Sequence, residues 1–161
     1  MRSVAVATVI CLAAVGCGKD KGSNGAEQAP VSLSGQVNDH GKKDLGSKDE
    51  VDVEQDDFYF GPTYIKAKPG STIKVELEND GNVPHTFTID GMNVDVTVDK
   101  GTRKDVSVTL PSSGAVVFYC RFHRGQGMQG AFYSKDGDTV GSTSGSSSSP
   151  SSGDNGYGYG K

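Results

Sequence analysis

The sequence lacks a basic stripe, an amphipathic helical pattern and an apolar run long enough to cross a bilayer. Its 161 residues carry a net charge of −4, and Lys and Arg form no cluster, which argues against a nucleic-acid partner. No segment repeats apolar residues at helical spacing over several turns, so we expect no long helix. The chain has room for one domain, and only its middle, rich in Val, Ile, Phe and Tyr, has the composition of a core.

The N-terminus has the features of an export signal. A basic residue precedes an uninterrupted run of apolar and small residues over 4–16, which is too short to span a bilayer as a helix. The run ends in AVGC at residues 14–17, which resembles the lipobox of bacterial lipoproteins. This resemblance implies cleavage before Cys17 and lipidation of that residue, with the protein anchored to the cell membrane and facing the periplasm or the cell exterior. The alternative is an ordinary signal peptide cut near Gly16 or Gly18, which also exports the chain.

The chain has few cysteines, and removal of the export signal leaves fewer in the mature protein. Of the three cysteines, Cys11 lies inside the signal, and Cys17 is either the lipid site or is also removed. Cys120 therefore remains with no disulfide partner in the chain. A lone thiol is a liability in an oxidising compartment unless it is deeply buried or has a function. Cys120 is thus the first residue to consider for chemistry.

Composition divides the exported chain into three parts. Residues 17–49 are polar, charged and Gly-rich without periodicity, which predicts a flexible tether between the lipid and the domain. His40 lies in this segment and is expected to be solvated. Residues 50–135 are predicted to form the folded domain. Residues 136–161 are almost entirely Ser and Gly, cannot bury a core, and are predicted to be disordered.

The predicted domain alternates apolar and polar side chains with the period of half-buried β-strands. The alternation is regular over 73–78, 94–99 and 106–110, and turns containing Gly, Pro or Asn separate these segments. Residues 116–119 form a more continuous apolar run, as in a strand buried on both sides. Short strands at this spacing predict an all-β fold, an antiparallel sandwich or barrel.

Cys120 begins a short segment that offers three side chains able to bind a metal. His123 and Met128 follow it within nine residues. Upstream, His85 begins a strand and shares a face with Phe87, so it is expected to point inward at the end of the sandwich. Two imidazoles, a thiolate and a thioether favour copper, because His₂Cys with a long axial Met is the geometry of electron-transfer copper. Zinc also accepts His₂Cys, but it has little use for a thioether.

Simpler interpretations exist for each residue taken alone. Cys120 could be a buried structural cysteine, His123 a surface histidine and Met128 core filling. The spacing of all three after a β-rich strand favours a shared site. A Cys–His nucleophile is a second class of site, but no third orienting group is evident. A two-copper centre uses two bridging cysteines, and only one remains.

The pattern Cys120-x₂-His123-x₄-Met128 with His85 upstream resembles the copper signature of the cupredoxins, with plastocyanins and amicyanins the nearest types. The resemblance implies a Greek-key β-sandwich holding one copper ion, with His85, Cys120 and His123 as equatorial ligands and Met128 as the axial ligand. Members of this family often have Asn after the first histidine, where it helps to tie the two ligand loops together. This chain has Thr86 at that position, so order around the site and the redox potential are expected to differ.

The resemblance implies a carrier of single electrons between redox partners outside the cytoplasmic membrane, not an enzyme, and a monomer. By analogy the edge of His123 would pass the electron, with Phe122 in a docking surface beside it. Arg121 and Arg124 would favour an acidic patch on the partner. The alternative uses the same ligands in a copper-binding module for delivery, storage or sensing at the cell surface. Copper exchange measured against redox cycling separates the two.

Overall fold

A computed structural model of the protein describes residues 28–141. The strands are β1 (Lys42–Asp44), β2 (Glu50–Asp56), β3 (Tyr59–Gly61), β4 (Tyr64–Lys66), β5 (Thr72–Asn79), β6 (His85–Ile89), β7 (Val94–Val98), β8 (Arg103–Thr109), β9 (Val116–Tyr119) and β10 (Gln129–Tyr133), with one 3₁₀ turn at Arg124–Gln126. The signal at 1–16, the lipid site Cys17 and the tail beyond 141 lie outside the described residues. Within that described part, no helix is both long and apolar enough to cross a membrane.

The strands form two sheets around one core. One sheet has the order β1-β4-β10-β9-β6-β7 and the other the order β3-β2-β5-β8. The chain crosses from one sheet to the other after β1, β3, β4, β5, β7 and β8, and the predicted Greek-key sandwich is confirmed. The expectation of purely antiparallel pairing is wrong, because β2 pairs with β5, and β4 with both β1 and β10, in parallel. Parallel partners need a long crossover, and β3 and β4 lie within the connection from β2 to β5.

Alternation along the strands fills the space between the sheets. In β5 the exposed and buried residues alternate as the sequence predicts, with Ile73, Val75 and Leu77 inward. Strand β9 also alternates, so the expectation that it is buried on both sides is wrong, whereas β6 and β10 are buried along their whole length. Four rings meet in the centre at centroid separations of 4.9 to 5.9 Å. They are Phe60, Phe87, Phe118 and Phe132.

The strand that follows the predicted metal loop needs a glycine. A Cβ at Gly130 would overlap the carbonyl oxygen of Thr63 and would lie 2.6 Å from the ring of Phe118. Both neighbours are fixed, one in the backbone of the turn before β4 and the other in the aromatic core. The absence of a side chain at this position therefore lets β10 pack between them.

Residues 28–49 belong to the folded domain, which corrects the prediction of a flexible tether extending to residue 49. Val31 and Leu45 are only 1% and 3% exposed, and β1 pairs with β4. The sequence did not reveal that these residues belong to the folded domain, because their apolar side chains are far apart and β1 itself is polar. Residues 17–27 of the predicted tether lie outside the described part of the chain.

The segment before β1 runs beside β10 from one end of the sandwich to the other. Near the far end of β10, the N–H of Gly137 donates to the carbonyl of Pro30 at 2.8 Å. At the beginning of β10, the N–H of Asn38 donates to the carbonyl of Gly127 at 3.0 Å. Between these points, the side chain of Gln129 donates to the carbonyls at residues 34 and 36. We call residues 30–38 the N-terminal strap.

The start of the predicted disordered tail is also ordered. Val140 bridges to Ala115, and the carboxylate of Asp138, a 7% exposed residue, accepts hydrogen bonds from Ser134 and Lys135. The prediction of disorder is therefore wrong for residues 136–141, which are part of the folded domain.

Candidate metal centre

Three of the four predicted metal ligands converge at one end of the sandwich. His85 begins β6, Cys120 directly follows β9, and His123 comes just before the 3₁₀ turn. The Sγ of Cys120 lies 3.4 Å from Nδ1 of His123 and 3.9 Å from Nδ1 of His85, and the two Nδ1 atoms are 3.1 Å apart. Ligands from two distant stretches of the sequence therefore meet at one point.

The three donor atoms have the spacing of a metal site. The centre of the triangle that they form lies about 2 Å from each atom, which is the usual metal–nitrogen distance in protein sites. Two imidazoles and one thiol suit copper in both of its common oxidation states. Both the distances and the donor types therefore fit one copper ion.

Burial is uneven around the triangle. His85 and Cys120 are 0% exposed, whereas His123 is partly exposed. The ring of Phe58 packs on His123 with centroids 4.4 Å apart, and Phe122 beside it is 52% exposed. Water is therefore excluded from His85 and Cys120, and the imidazole of His123 connects the site to the surface.

Both imidazoles are held neutral near pH 7. Desolvation, followed by the charge of His123, lowers the pKa of His85, and the neighbouring Asp57 only partly opposes this. Desolvation likewise lowers the pKa of His123. A neutral imidazole keeps a lone pair for a metal ion, so protons compete little for these ligands in neutral solution.

Thr86 ties the two ligand-bearing segments together. Its backbone N–H donates to Sγ of Cys120 at 3.4 Å, and its hydroxyl accepts a hydrogen bond from the N–H of Arg121 at 2.8 Å. Thr88 donates its own hydroxyl proton to Asp95 at 2.9 Å, so the Thr86 hydroxyl is the donor in its 3.1 Å contact with Thr88. The resemblance assigned this tie to an Asn, and here a buried Thr makes it.

Met128 is connected to the converging residues through its backbone. It is 0% exposed, its carbonyl accepts from the N–H of Cys120 at 3.0 Å, and its own N–H donates to the carbonyl of His123 at 3.3 Å. The backbone of Met128 is thus bonded to two of the converging residues. Its role as the axial ligand stays a prediction.

The loop between His123 and Met128 is closed by backbone hydrogen bonds and by the strap. The N–H of Gln126 donates to the carbonyl of His123 at 2.9 Å, and Gly127 has a positive φ of 96°. Nδ2 of Asn38 donates to the carbonyls of Gln126 and Phe58 at 2.8 and 2.9 Å. Sequence reasoning missed Asn38 because it lies in the presumed tether.

Asp57 is a second residue that the sequence did not reveal. Its Oδ1 lies 3.2 Å from Nε2 of His85, on the opposite side of the ring from the triangle. The two residues are 28 positions apart, and no local pattern links the turn after β2 to the start of β6. By contrast, His40 is exposed and stacks on Tyr59 at 3.4 Å, outside the cluster, as expected of a histidine that is not a ligand.

The two arginines beside the site are partly engaged within the domain. Nε of Arg121 lies 2.8 Å from Oδ1 of Asp95, which offsets its charge. The guanidinium of Arg124 lies 4.2 Å over the ring of Tyr119. The positive charge expected around Phe122 is therefore smaller than the sequence alone indicates.

Comparison with known proteins assigns the folded domain to a protein family. The family model of a cupredoxin-like domain matches residues 32–132, so it includes part of the strap and all the converging residues. No curated protein matches the chain. The fold and the converging His85, Cys120 and His123 fit a single type 1 copper site.

Several solved structures are similar to the chain at low identity. Reduced auracyanin from the photosynthetic bacterium Roseiflexus castenholzii is 15% identical with a TM-score of 0.47, over 60% of this chain and 100% of that one. The blue copper oxidase from Nitrosomonas europaea is 17% identical with a TM-score of 0.47, over 53% of this chain and 38% of that one. A laccase-like multi-copper oxidase from Ochrobactrum is 16% identical with a TM-score of 0.47, over 63% of this chain and 30% of that one. The chain thus spans well under half the length of the two oxidases.

Proposed function

Because the chain belongs to the cupredoxin-like domain family, we propose that it is a mononuclear type 1 copper protein that carries single electrons between redox partners outside the cytoplasmic membrane. The observation that supports this is the triangle of two Nδ1 atoms and one Sγ, with two ligands buried and one partly exposed. A buried metal with one exposed ligand edge can exchange electrons without exchanging ligands.

The residues of the site would hold one copper ion, which supplies a one-electron couple when bound. His85, Cys120 and His123 would hold it, with Met128 as the fourth and weaker ligand. The hydrogen bond from the backbone N–H of Thr86 fixes the thiol before any metal arrives. Ligands held in one arrangement move little between oxidation states, which favours rapid electron transfer.

A partner would dock over the partly exposed imidazole. Phe122, the most exposed large apolar side chain in the described residues, lies next to His123 in sequence with ring centroids 6.1 Å apart. A small apolar contact of this kind allows close approach without a tight complex. Arg124 adds positive charge that would steer an acidic surface on the partner, and Arg121 adds less because of its pair with Asp95.

The test of the proposal is a Cu(II) titration of the mature protein. We expect one equivalent to produce an intense blue or green band that ascorbate bleaches and air or ferricyanide restores. Cys120→Ser should remove the band. His123→Ala should also disrupt the band. Its matched control is His40→Ala, which removes a histidine outside the cluster and should leave the band intact.

Two outcomes would contradict the proposal. A colourless protein that takes up zinc in place of copper would exclude the copper site. A coloured protein that loses its copper rapidly to a competing chelator, without a reversible couple, would favour copper delivery or storage.

We also propose that the protein is exported and anchored through a lipid on Cys17. The support is the apolar run over 4–16 and the AVGC sequence that ends it. In a bacterial host, Cys17→Ala should move the protein from the membrane fraction to the soluble fraction. Retention of the variant in the membrane would contradict the anchor.

A further inference from the structure

The ring of His85 is held on two sides. Its Nδ1 belongs to the donor triangle, and its Nε2 lies 3.2 Å from Oδ1 of Asp57. Since a carboxylate accepts hydrogen bonds, this contact places the ring proton on Nε2. The lone pair of Nδ1 is then left facing His123 and Cys120.

Asp57 is itself fixed by a second set of contacts. The N–H of Asn82 lies 3.1 and 3.0 Å from the two carboxylate oxygens, and Nδ2 of Asn82 donates to Oδ2 at 3.0 Å. Lys100 donates to Oδ1 of Asn82 at 3.0 Å, which orients the amide with its N–H groups toward Asp57. The side chain of Asp57 is 22% exposed, so most of its surface is shielded from solvent.

The backbone at Gly81 closes over this contact. A Cβ at Gly81 would lie 2.7 Å from Oδ1 of Asp57 and 2.8 Å from Nε2 of His85. The N–H of Gly81 donates to the side chain of Asn79 at 3.0 Å, which keeps the loop in place. The chain therefore leaves the carboxylate and the ring in contact with no space for a side chain between them.

The two histidines differ in whether a carboxylate contacts Nε2, the ring nitrogen that points away from the triangle. Within residues 28–141, no hydrogen bond of this kind is formed by Nε2 of His123, which is partly exposed. A carboxylate on the far nitrogen of a metal-ligating histidine fixes the tautomer and strengthens the ligand as a donor. A stronger donor beside a negative charge stabilises the doubly charged ion more than the singly charged one.

We propose that Asp57 is a positioning residue that acts through His85 to favour Cu(II) over Cu(I) and so lowers the reduction potential of the site. The carboxylate does not contact the metal position. It sets the direction of the Nδ1 lone pair and supplies fixed negative charge behind the ligand. This role rests on the proposed copper function.

The test uses the mature protein with Asp57→Asn, Asp57→Leu and, as a matched control, Asp80→Asn. Asn at 57 keeps an acceptor for Nε2 and removes the charge, whereas Leu removes both. Asp80 is an exposed carboxylate in the neighbouring loop, and its replacement changes the net charge by the same amount. The readouts are the reduction potential by voltammetry of the copper-loaded proteins and the ¹⁵N-NMR tautomer of His85 in the metal-free proteins.

Asp57→Asn should change the ratio of Cu(II) to Cu(I) affinity about tenfold, which corresponds to a rise of about 59 mV for a one-electron couple. Asp80→Asn should change the potential by less than a third of that. In the metal-free protein, His85 should be protonated on Nε2 in the wild type and Asn variant and should become a tautomer mixture in the Leu variant. Equal potentials for both Asn variants, or an unchanged tautomer in the Leu variant, would overturn the role. Because the tautomer is read without copper, that second result is independent of whether the copper function holds.

Discussion

Thr86→Val tests how the two ligand-bearing segments are joined. Valine has nearly the shape of threonine, so the 0% exposed site stays filled while the hydroxyl disappears. The hydroxyl accepts from the N–H of Arg121 at 2.8 Å and donates to the hydroxyl of Thr88 at 3.1 Å. Thr88 keeps its hydrogen bond to Asp95, so the group left without a partner is the backbone N–H of Arg121.

The expected cost follows from that loss. A partly buried N–H left without its acceptor costs about 1–3 kcal/mol, and we expect urea denaturation of the metal-free protein to show a decrease of this size for Thr86→Val. Thr86→Ser is the control, since it keeps the hydroxyl and loses one methyl group, at a cost of about 1 kcal/mol. The backbone N–H of residue 86 still reaches Cys120 in both variants, so the copper band should survive in both.

Hydrogen exchange of the Arg121 amide distinguishes the two variants. Protection should fall in Thr86→Val and be retained in Thr86→Ser. If the amide exchanges equally slowly in the wild type and in Thr86→Val, the hydroxyl is not the group that joins β6 to the cysteine loop. The account of Thr86 as a substitute for the family's Asn would then be refuted.

The remaining predictions concern packing, pH and the axial ligand. Gly130→Ala should destabilise the fold by about 1–3 kcal/mol or more through overpacking. Its control is Gly125→Ala, where a Cβ meets nothing within 4 Å and the melting temperature should stay nearly unchanged. Equal melting curves for the two variants would contradict the close approach of residue 130 to Thr63 and Phe118. Because desolvation and then the charge of His123 lower the pKa of His85 in the fold, the unfolded chain binds that proton first, and the metal-free protein should lose stability as pH falls below about 6.5. Urea midpoints that are equal at pH 7 and pH 5 would contradict this. Met128→Leu should retain copper and raise the reduction potential, and a variant that no longer binds copper would show that the axial assignment is wrong.

The sequence predicts this fold well where side chains alternate. Strand β5 has the inward Ile, Val and Leu pattern that was expected of it, and the strand that carries Phe87 and His85 was placed by the same parity. The local spacing of Cys120 and His123 predicts a shared site because a short loop keeps them together whatever the rest of the chain does. The structure brings these residues together with His85.

The contacts that the sequence did not predict are those that no periodicity encodes. Asn38 reaches the metal loop from a polar, irregular segment, across 88 positions in sequence. Asp57 meets His85 only because a turn of one sheet faces the beginning of a strand in the other. Parallel pairing of β2 with β5 was missed for a related reason, since alternation defines which side chains face inward and does not define strand direction.

The N-terminal strap would give the domain a polarity with respect to the lipid anchor proposed on Cys17. The chain enters the described fold at residue 28, near Gly137, and reaches the metal loop only at Asn38. A lipid on Cys17 would therefore hold the sandwich by the end opposite the copper. The ten residues from 18 to 27 limit its height to about 35 Å of extended chain. Phe122 and His123 would then lie at the end of the domain farthest from the tether, where partners that project from the membrane surface can reach them.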